Sequence, residues 1–317
     1  MPLPANPFDL AQPALYARWR EQKLRQQPRS WEDLVVEVKD PRKLRASERE
    51  ALLQRGHRAN MAMYRSPVLT EDPALPRLLA QQLGLQRLDA NWLADEDGIS
   101  RIAVSQQAGA RSDFIPYTNR PIQWHTDGYY HPQERRICGM VLHCVRSAVQ
   151  GGDNRLADHE RVYIALRDAN PDWVAALMQP DAMTIPARED ADGVARPAQS
   201  GPVFALLHDA NQGVCLHMRY TARTRSIVWK DDAPTRAAVA FLATLLASDA
   251  PWLYQLRLQP GMGVVANNVL HTRSGFSDDP QQPRLLYRAR YLDRMADAQE
   301  APDPPRVPRR TVVEHSL

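Results

Sequence analysis

The sequence predicts an α+β fold that is mainly β: a β-sandwich or jelly roll with helical insertions and flanking helices. Six short runs rich in Val, Leu and Tyr point to it. They are SRIAVS (100–105), ICGMVLHCV (137–145), PVFALLH (202–208), GVCLHMRY (213–220), GVVANNVLH (263–271) and RLLYRARYL (284–292), each bounded by Gly, Pro, Asn or Asp. They do not alternate regularly with helices, which argues against a doubly wound parallel sheet. No linker-like stretch interrupts residues 95–295, so one domain is expected, 1–317.

Taken in order, residues 1–94 read as mainly helical. Ser47 followed by Glu50 offers a capping box ahead of ALLQRGHRANMAMY (51–64). LPRLLAQQLG (75–84) is a short helix that Gly84 stops. Asp158 is placed to cap HERVYIALRD (159–168), where Val162, Ala165 and Leu166 share a face. The clearest helix runs from Ala233 to Ser248. Residues 95–295 form the expected β core. Residues 296–317, with APDPPRVPRR, read as an extended Pro-rich tail.

Composition narrows the class. The 317 residues are 44% hydrophobic and 24% charged, as in soluble globular proteins. A net charge of +3 gives no push toward nucleic acid. Cys138, Cys144 and Cys215 lie in apolar runs without CxxC spacing, so buried thiols in a reducing cytosol are expected. The N-terminal stretch lacks a charged-then-apolar export pattern, and no apolar run is long enough to cross a bilayer. A cytoplasmic protein acting on a small molecule is the expectation.

The segment NRPIQWHTDGYYHP (119–132) concentrates unusual chemistry. Residues i and i+2 of a strand share a face, so His125 and Asp127 can converge on one ion. Chance supplies roughly 0.7 such H-x-D spacings in a chain with nine His. A plain His–Asp hydrogen bond at a strand end is therefore the blander reading. Far along the chain, His271 ends an apolar run and Arg284 begins the next. Adjacent strands of one barrel would carry both into a shared cavity. Two His and a carboxylate form the facial triad of non-haem Fe(II) oxygenases. A dicarboxylate co-substrate chelated at one end needs a cation at the other, which Arg supplies as a planar fork.

On WHTDGYY, the GGDN about 25 residues later and the His271-to-Arg288 segment, the chain resembles the taurine dioxygenase/2,4-D dioxygenase family of Fe(II)- and 2-oxoglutarate-dependent oxygenases. The resemblance covers about residues 95–295 and implies a double-stranded β-helix core. It implies that His125, Asp127 and His271 bind Fe(II), and that Arg284 pairs with the distal carboxylate of 2-oxoglutarate. Asn154 stands where relatives often carry a Thr that contacts 2-oxoglutarate, a departure that changes reach. Arg288 matches the position that holds a substrate anion in a sulfonate-using relative. A carboxylate at Asp127 favours hydroxylation, since halogenating relatives carry a small residue there. The implied reaction consumes O2 and 2-oxoglutarate, releases succinate and CO2, and hydroxylates a C–H bond of a small anionic substrate. Relatives are often oligomers, and no interface stripe is visible here.

Trp124, Tyr129 and Tyr130 are placed to wall the cavity, although packing alone accounts for each. Period two puts Arg284, Leu286, Arg288 and Arg290 on one strand face, with Leu285, Tyr287, Ala289 and Tyr291 on the other. Arg273 is a further candidate near the metal. His143, His208 and His217 read as core or barrel-lining residues and His131 as a solvated loop residue. His57, His159 and His315 carry no signal. Two other classes fit the same triad. One is a zinc hydrolase, which would not need Arg284. The other is a non-catalytic binding protein.

Overall fold

In the computed structural model, the described residues are 6–89, 97–104, 114–190, 193–209, 213–223 and 227–296. Two sheets organise them. The larger has six strands in the order Val35–Glu37, Met61–Arg65, Met262–Ala266, Gly139–Arg146, Leu285–Tyr291, Ser100–Ile102. The smaller has four, in the order Tyr254–Leu256, Asn154–Ala157, Leu270–Arg273, Ile122–His125. Every pairing in both is antiparallel except the first pair of the larger sheet.

Alternation along the strands places the core. Met140, Leu142, Cys144, Val264 and Leu286 of the large sheet share one buried layer with Leu156, Tyr254 and Leu256 of the small sheet. The opposite face of the large sheet buries Val141, Val145, Val265, Leu285, Tyr287, Ala289 and Tyr291. Leu52 and Leu53 of the helix Ala46–Ala59 and Leu79 of the helix Leu75–Gln82 pack there. The expected period-two split of residues 284–291 therefore has a physical partner on each side. Behind the small sheet, Trp124, Ala157 and Leu270 pack against Val162, Leu177, Leu242 and Leu246 of three helices, His159–Ala169, Pro171–Leu177 and Ala233–Ala247. Trp124 is thus a core residue, and its indole N–H donates to the Leu246 carbonyl at 2.9 Å.

Caps explain the helix starts. The Asp158 carboxylate accepts from the Glu160 N–H at 2.9 Å, and Asp232 from the Thr235 N–H at 2.8 Å. The first expected capping box is displaced. The helix begins at Ala46, and Glu48, not Glu50, reaches back to the Arg45 N–H at 2.8 Å. It also ends early, at Ala59. Asn60 takes a left-handed conformation with φ 55°, and MAMYR becomes a strand pairing with Met262–Ala266.

GVVANNVLH is likewise two strands, not one. Met262–Ala266 belongs to the large sheet and Leu270–Arg273 to the small one, and the chain crosses between them at Asn267–Asn268. Asn268 sits at φ 51°, which a short polar side chain tolerates best among non-glycine residues. SRIAVS forms a strand only over Ser100–Ile102, while PVFALLH and GVCLHMRY pair as an antiparallel hairpin. The three cysteines are buried thiols without disulfides. Among the described residues no helix is long and apolar enough to cross a membrane. Residues 297–317 of the expected tail, His315 included, lie outside the described residues.

Candidate metal centre

The centre lies between the sheets. Ile122–His125 and Leu270–Arg273 pair so that His271 stands directly opposite His125, with ring centroids 4.1 Å apart. Asp127 follows two residues past His125 on the same side. Asn268 fixes it there: its side-chain oxygen accepts the Asp127 N–H at 2.8 Å, and its amide donates to the carbonyls of Asp127 and Ile137. The strand break that hid in GVVANNVLH is what builds this clamp.

One candidate ligand atom from each of His125, Asp127 and His271 lies within 4.8 Å of the others, and all three residues are buried. Each imidazole places Nδ1 against the carbonyl two residues earlier: Gln123 at 2.9 Å for His125 and Val269 at 3.0 Å for His271. A carbonyl only accepts, so Nδ1 carries the proton and Nε2 keeps its lone pair. Burial, then the neighbouring His271, pushes the His125 pKa down to about 3, and burial lowers that of His271. Burial alone would raise the Asp127 pKa; Arg288 and then His271 outweigh it and hold the carboxyl ionised. Asp127 Oδ1 accepts from Arg288, but Oδ2 is buried without a partner among the described residues. Two imidazole lone pairs and an ionised carboxylate gathered within 4.8 Å of one another suit a cation.

A cavity opens beside the two imidazoles, with Ile122, Met140, Leu142 and Leu286 as apolar wall. Asn154, Arg273, Arg284 and Arg288 supply its polar groups. Arg284 immediately precedes the strand Leu285–Tyr291 and is 4% exposed. Its guanidinium lies over the Phe276 ring at 5.0 Å, and Nη1 has no partner among the described residues. GGDN explains how it fits. A Cβ on Gly151 would lie 2.2 Å from the Gly275 carbonyl oxygen, and one on Gly152 would lie 3.4 Å from Arg284 Nε. Both glycines have positive φ. Asn154 donates from Nδ2 to the Thr272 carbonyl at 2.9 Å, and its Oδ1 is buried without a partner among the described residues.

The structure rearranges several expectations. His271 lies on a strand of the small sheet and Arg284 just ahead of a strand of the large one, not on adjacent strands, so the cavity spans the sandwich. Arg273 lines the cavity but is a staple. Its guanidinium donates to the carbonyls of Ile115, Pro116, Thr118 and Arg120, and burial lowers its pKa to about 9. Arg290 ion-pairs with Asp89 at 2.7 Å and donates to the Tyr130 hydroxyl at 3.0 Å. Tyr130 thus anchors Arg290 and lines neither cavity described here, whereas Tyr129 lines a second cavity that Asp127 also borders. His143 is core, paired with the Tyr64 hydroxyl at 2.9 Å. His208 is exposed on its hairpin instead of lining a barrel, because its strand pairs on one side only. His131 is half-buried, with Nδ1 3.1 Å from the Arg135 carbonyl. Asn268 and Arg136 carried no expectation. The doubled Asn in an apolar run was the available signal for Asn268.

Residues 24–290 match the family model described as taurine catabolism dioxygenase TauD, TfdA family. Two relatives, from Amycolatopsis sp and Streptomyces sp, are both named uridine-5'-phosphate dioxygenase. The first is 32% identical over 177 residues, 54% of this chain and 60% of that one. The second is 30% identical over 200 residues, 62% of this chain and 70% of that one. The chain thus spans under two thirds of the first relative's length. Among solved structures, an asparagine oxygenase in complex with Fe(II), hydroxyasparagine and succinate aligns at TM-score 0.52 and 16% identity, over 86% of this chain and 92% of that one. The non-haem iron oxygenase OrfP in complex with Fe and α-ketoglutaric acid aligns at TM-score 0.55 and 15% identity, over 78% and 80%. At such identities these show a shared fold.

Proposed function

The chain belongs to the taurine catabolism dioxygenase TauD, TfdA family, and from that premise we propose that it is an Fe(II)- and 2-oxoglutarate-dependent dioxygenase that hydroxylates a C–H bond of a small anionic substrate. The two facing sheets are read as the double-stranded β-helix core of a single domain. His125, Asp127 and His271 hold Fe(II). The observation that carries this is the close set of two Nε2 lone pairs and the Asp127 carboxylate, one oxygen of which has no partner among the described residues.

When bound, iron supplies the oxidative chemistry that consumes O2 and 2-oxoglutarate and yields succinate and CO2. The protein's part is positional. Arg284 presents unused donors to the distal carboxylate of 2-oxoglutarate, in a setting dry enough to lower its own pKa. Asn154 borders the same space with its amide. Met140, Leu142 and Leu286 exclude water from it. Arg288 steadies Asp127 and adds positive charge to the Arg284 cavity, and Tyr129 walls the second cavity, which Asp127 borders. The names of the two relatives make uridine 5'-monophosphate the first substrate to test. Three buried thiols without disulfides fit a reducing cytoplasm.

The test is anaerobic addition of Fe(II) and 2-oxoglutarate to the purified protein. The visible band of the Fe(II)–2-oxoglutarate chelate is expected. On admitting O2, succinate forms slowly alone and faster with uridine 5'-monophosphate or another accepted anion. A zinc hydrolase on the same ligands gives neither band nor succinate, and that result overturns the reading.

A further inference from the structure

A second cavity, which Asp127 borders, is walled by Gly128–Tyr129, the 131–137 segment and the hairpin strand Gly213–Met218. Its polar lining is one-sided in charge. Among the described residues Asp127 is the only acidic side chain in it, against Arg136 and Arg219, with His131 and His217 beside them. Asp127 is already committed to Arg288 and to the triad.

The basic groups play different parts. Arg219 spends its donors on the carbonyls of Tyr129, Met183, Gln199 and Gly201, so it contributes charge but few hydrogen bonds. Arg136 is half-buried, and its guanidinium makes no hydrogen bond to any described residue. His217 is 5% exposed, borders the cavity and likewise has no hydrogen-bond partner among the described residues. Burial and the nearby Arg136 charge keep it neutral, so it offers one N–H. An imidazole and a guanidinium that border one cavity with no hydrogen-bond partner among the described residues suit an anion.

We propose that this cavity is an anion subsite in which Arg136 and His217 grip a phosphomonoester group while the Arg219 charge balances it. Two guanidinium charges match the −1.5 to −2 of a phosphomonoester better than the single charge of a carboxylate or sulfonate. Arg136 supplies the planar fork, and His217 supplies a single donor from the hairpin. Because Asp127 borders this cavity and belongs to the triad, a group held here places the adjoining part of the ligand toward the triad. Calling it the substrate's subsite rests on the dioxygenase reading; the anion site itself does not.

Calorimetric titration of the full metal-free chain with inorganic phosphate, uridine 5'-monophosphate and uridine tests it. Phosphate and the nucleotide bind wild type. Arg136→Gln weakens both at least tenfold, His217→Asn weakens both several-fold, and uridine, lacking phosphate, binds weakly to all forms. Because the Arg136 guanidinium makes no hydrogen bond to any described residue, its variant keeps the wild-type melting temperature and decides the matter even if His217→Asn does not fold. Equal affinities in wild type and Arg136→Gln overturn the proposal. So does phosphate binding that Arg284→Gln abolishes, which would put the anion in the other cavity. The dioxygenase reading is judged separately by the chelate band, so each can fail without the other.

Discussion

Arg288 Nη1 donates to Asp127 Oδ1 at 3.1 Å, linking the large sheet to the acidic member of the triad. Both residues are buried, so the contact is little screened. It fixes which carboxylate oxygen stays free, since among the described residues Oδ2 alone is left without a partner. Partners behind a metal ligand typically contribute 10–100-fold in metal affinity. Arg288→Gln is therefore expected to weaken Fe(II) or Mn(II) binding by about tenfold or more, read by competition with a chelator. An unchanged metal affinity would mean that Arg288 serves the substrate alone.

Metal binding should also register as stability. A ligand that binds only the folded state at 100 times its dissociation constant stabilises by about 2.7 kcal/mol. Mn(II) under nitrogen is expected to raise the melting temperature of wild type. His271→Ala removes one of three ligand atoms and should abolish both that rise and the chelate band. A rise that survives in His271→Ala would place the ion elsewhere.

Arg284 acts on a different variable. Its guanidinium touches none of the triad in the hydrogen-bond pattern, yet it shares their cavity. Losing a buried charge-assisted partner costs about 2–5 kcal/mol in affinity. Arg284→Gln should raise the 2-oxoglutarate requirement by about 30-fold or more while Mn(II) affinity stays near wild type. A variant that loses metal binding instead would show that Arg284 only supports the fold.

Much of this site was legible because its signals are local or periodic. H-x-D places His125 and Asp127 on one side, and alternation from Arg284 to Arg290 separates cavity-facing from helix-facing residues. What stayed hidden depends on distant chain segments. Nothing local shows that Asn268 turns left-handed and clamps the Asp127 loop, or that Arg273 is consumed by four carbonyls. His217 looked like a core residue because its run is apolar. Only the approach of the 131–137 segment gives it a cavity and Arg136 as a neighbour.

The Asn268 clamp is testable without touching a ligand. Asn268→Gly keeps the left-handed backbone accessible but deletes three side-chain hydrogen bonds, two of them to the backbone of Asp127. At about 1 kcal/mol each, the loss is about 3 kcal/mol. Metal affinity should fall with stability, because the Asp127 backbone loses its anchor. A variant with lowered melting temperature but undiminished Mn(II) affinity would show that the loop is held by other contacts.

A last expectation concerns the helix Pro13–Arg25, which docks through Lys23. Buried Lys23 sits between Asp158, at 2.7 Å, and Glu160. Burial would push the Lys23 pKa down, but Asp158 and then Glu160 outweigh it and raise it. Burial likewise opposes the charged form of Asp158, and Lys23 wins, lowering that pKa. The depressed carboxyl contributes stability that is present above its unfolded value near 4 and lost as pH falls through the folded one. The raised amine contributes stability present below about 10.4 and lost as pH rises through its folded value. Removing one partner of such a buried cluster costs about 3–5 kcal/mol. Lys23→Met should thus lower the melting temperature at pH 7 by about 5 °C for a chain of this length. The gap to wild type should narrow below pH 4, where protonation removes the same attraction from both proteins. A gap that stays constant from pH 7 to pH 3 would show that Lys23 acts through the packing of its aliphatic stem and not through its charge.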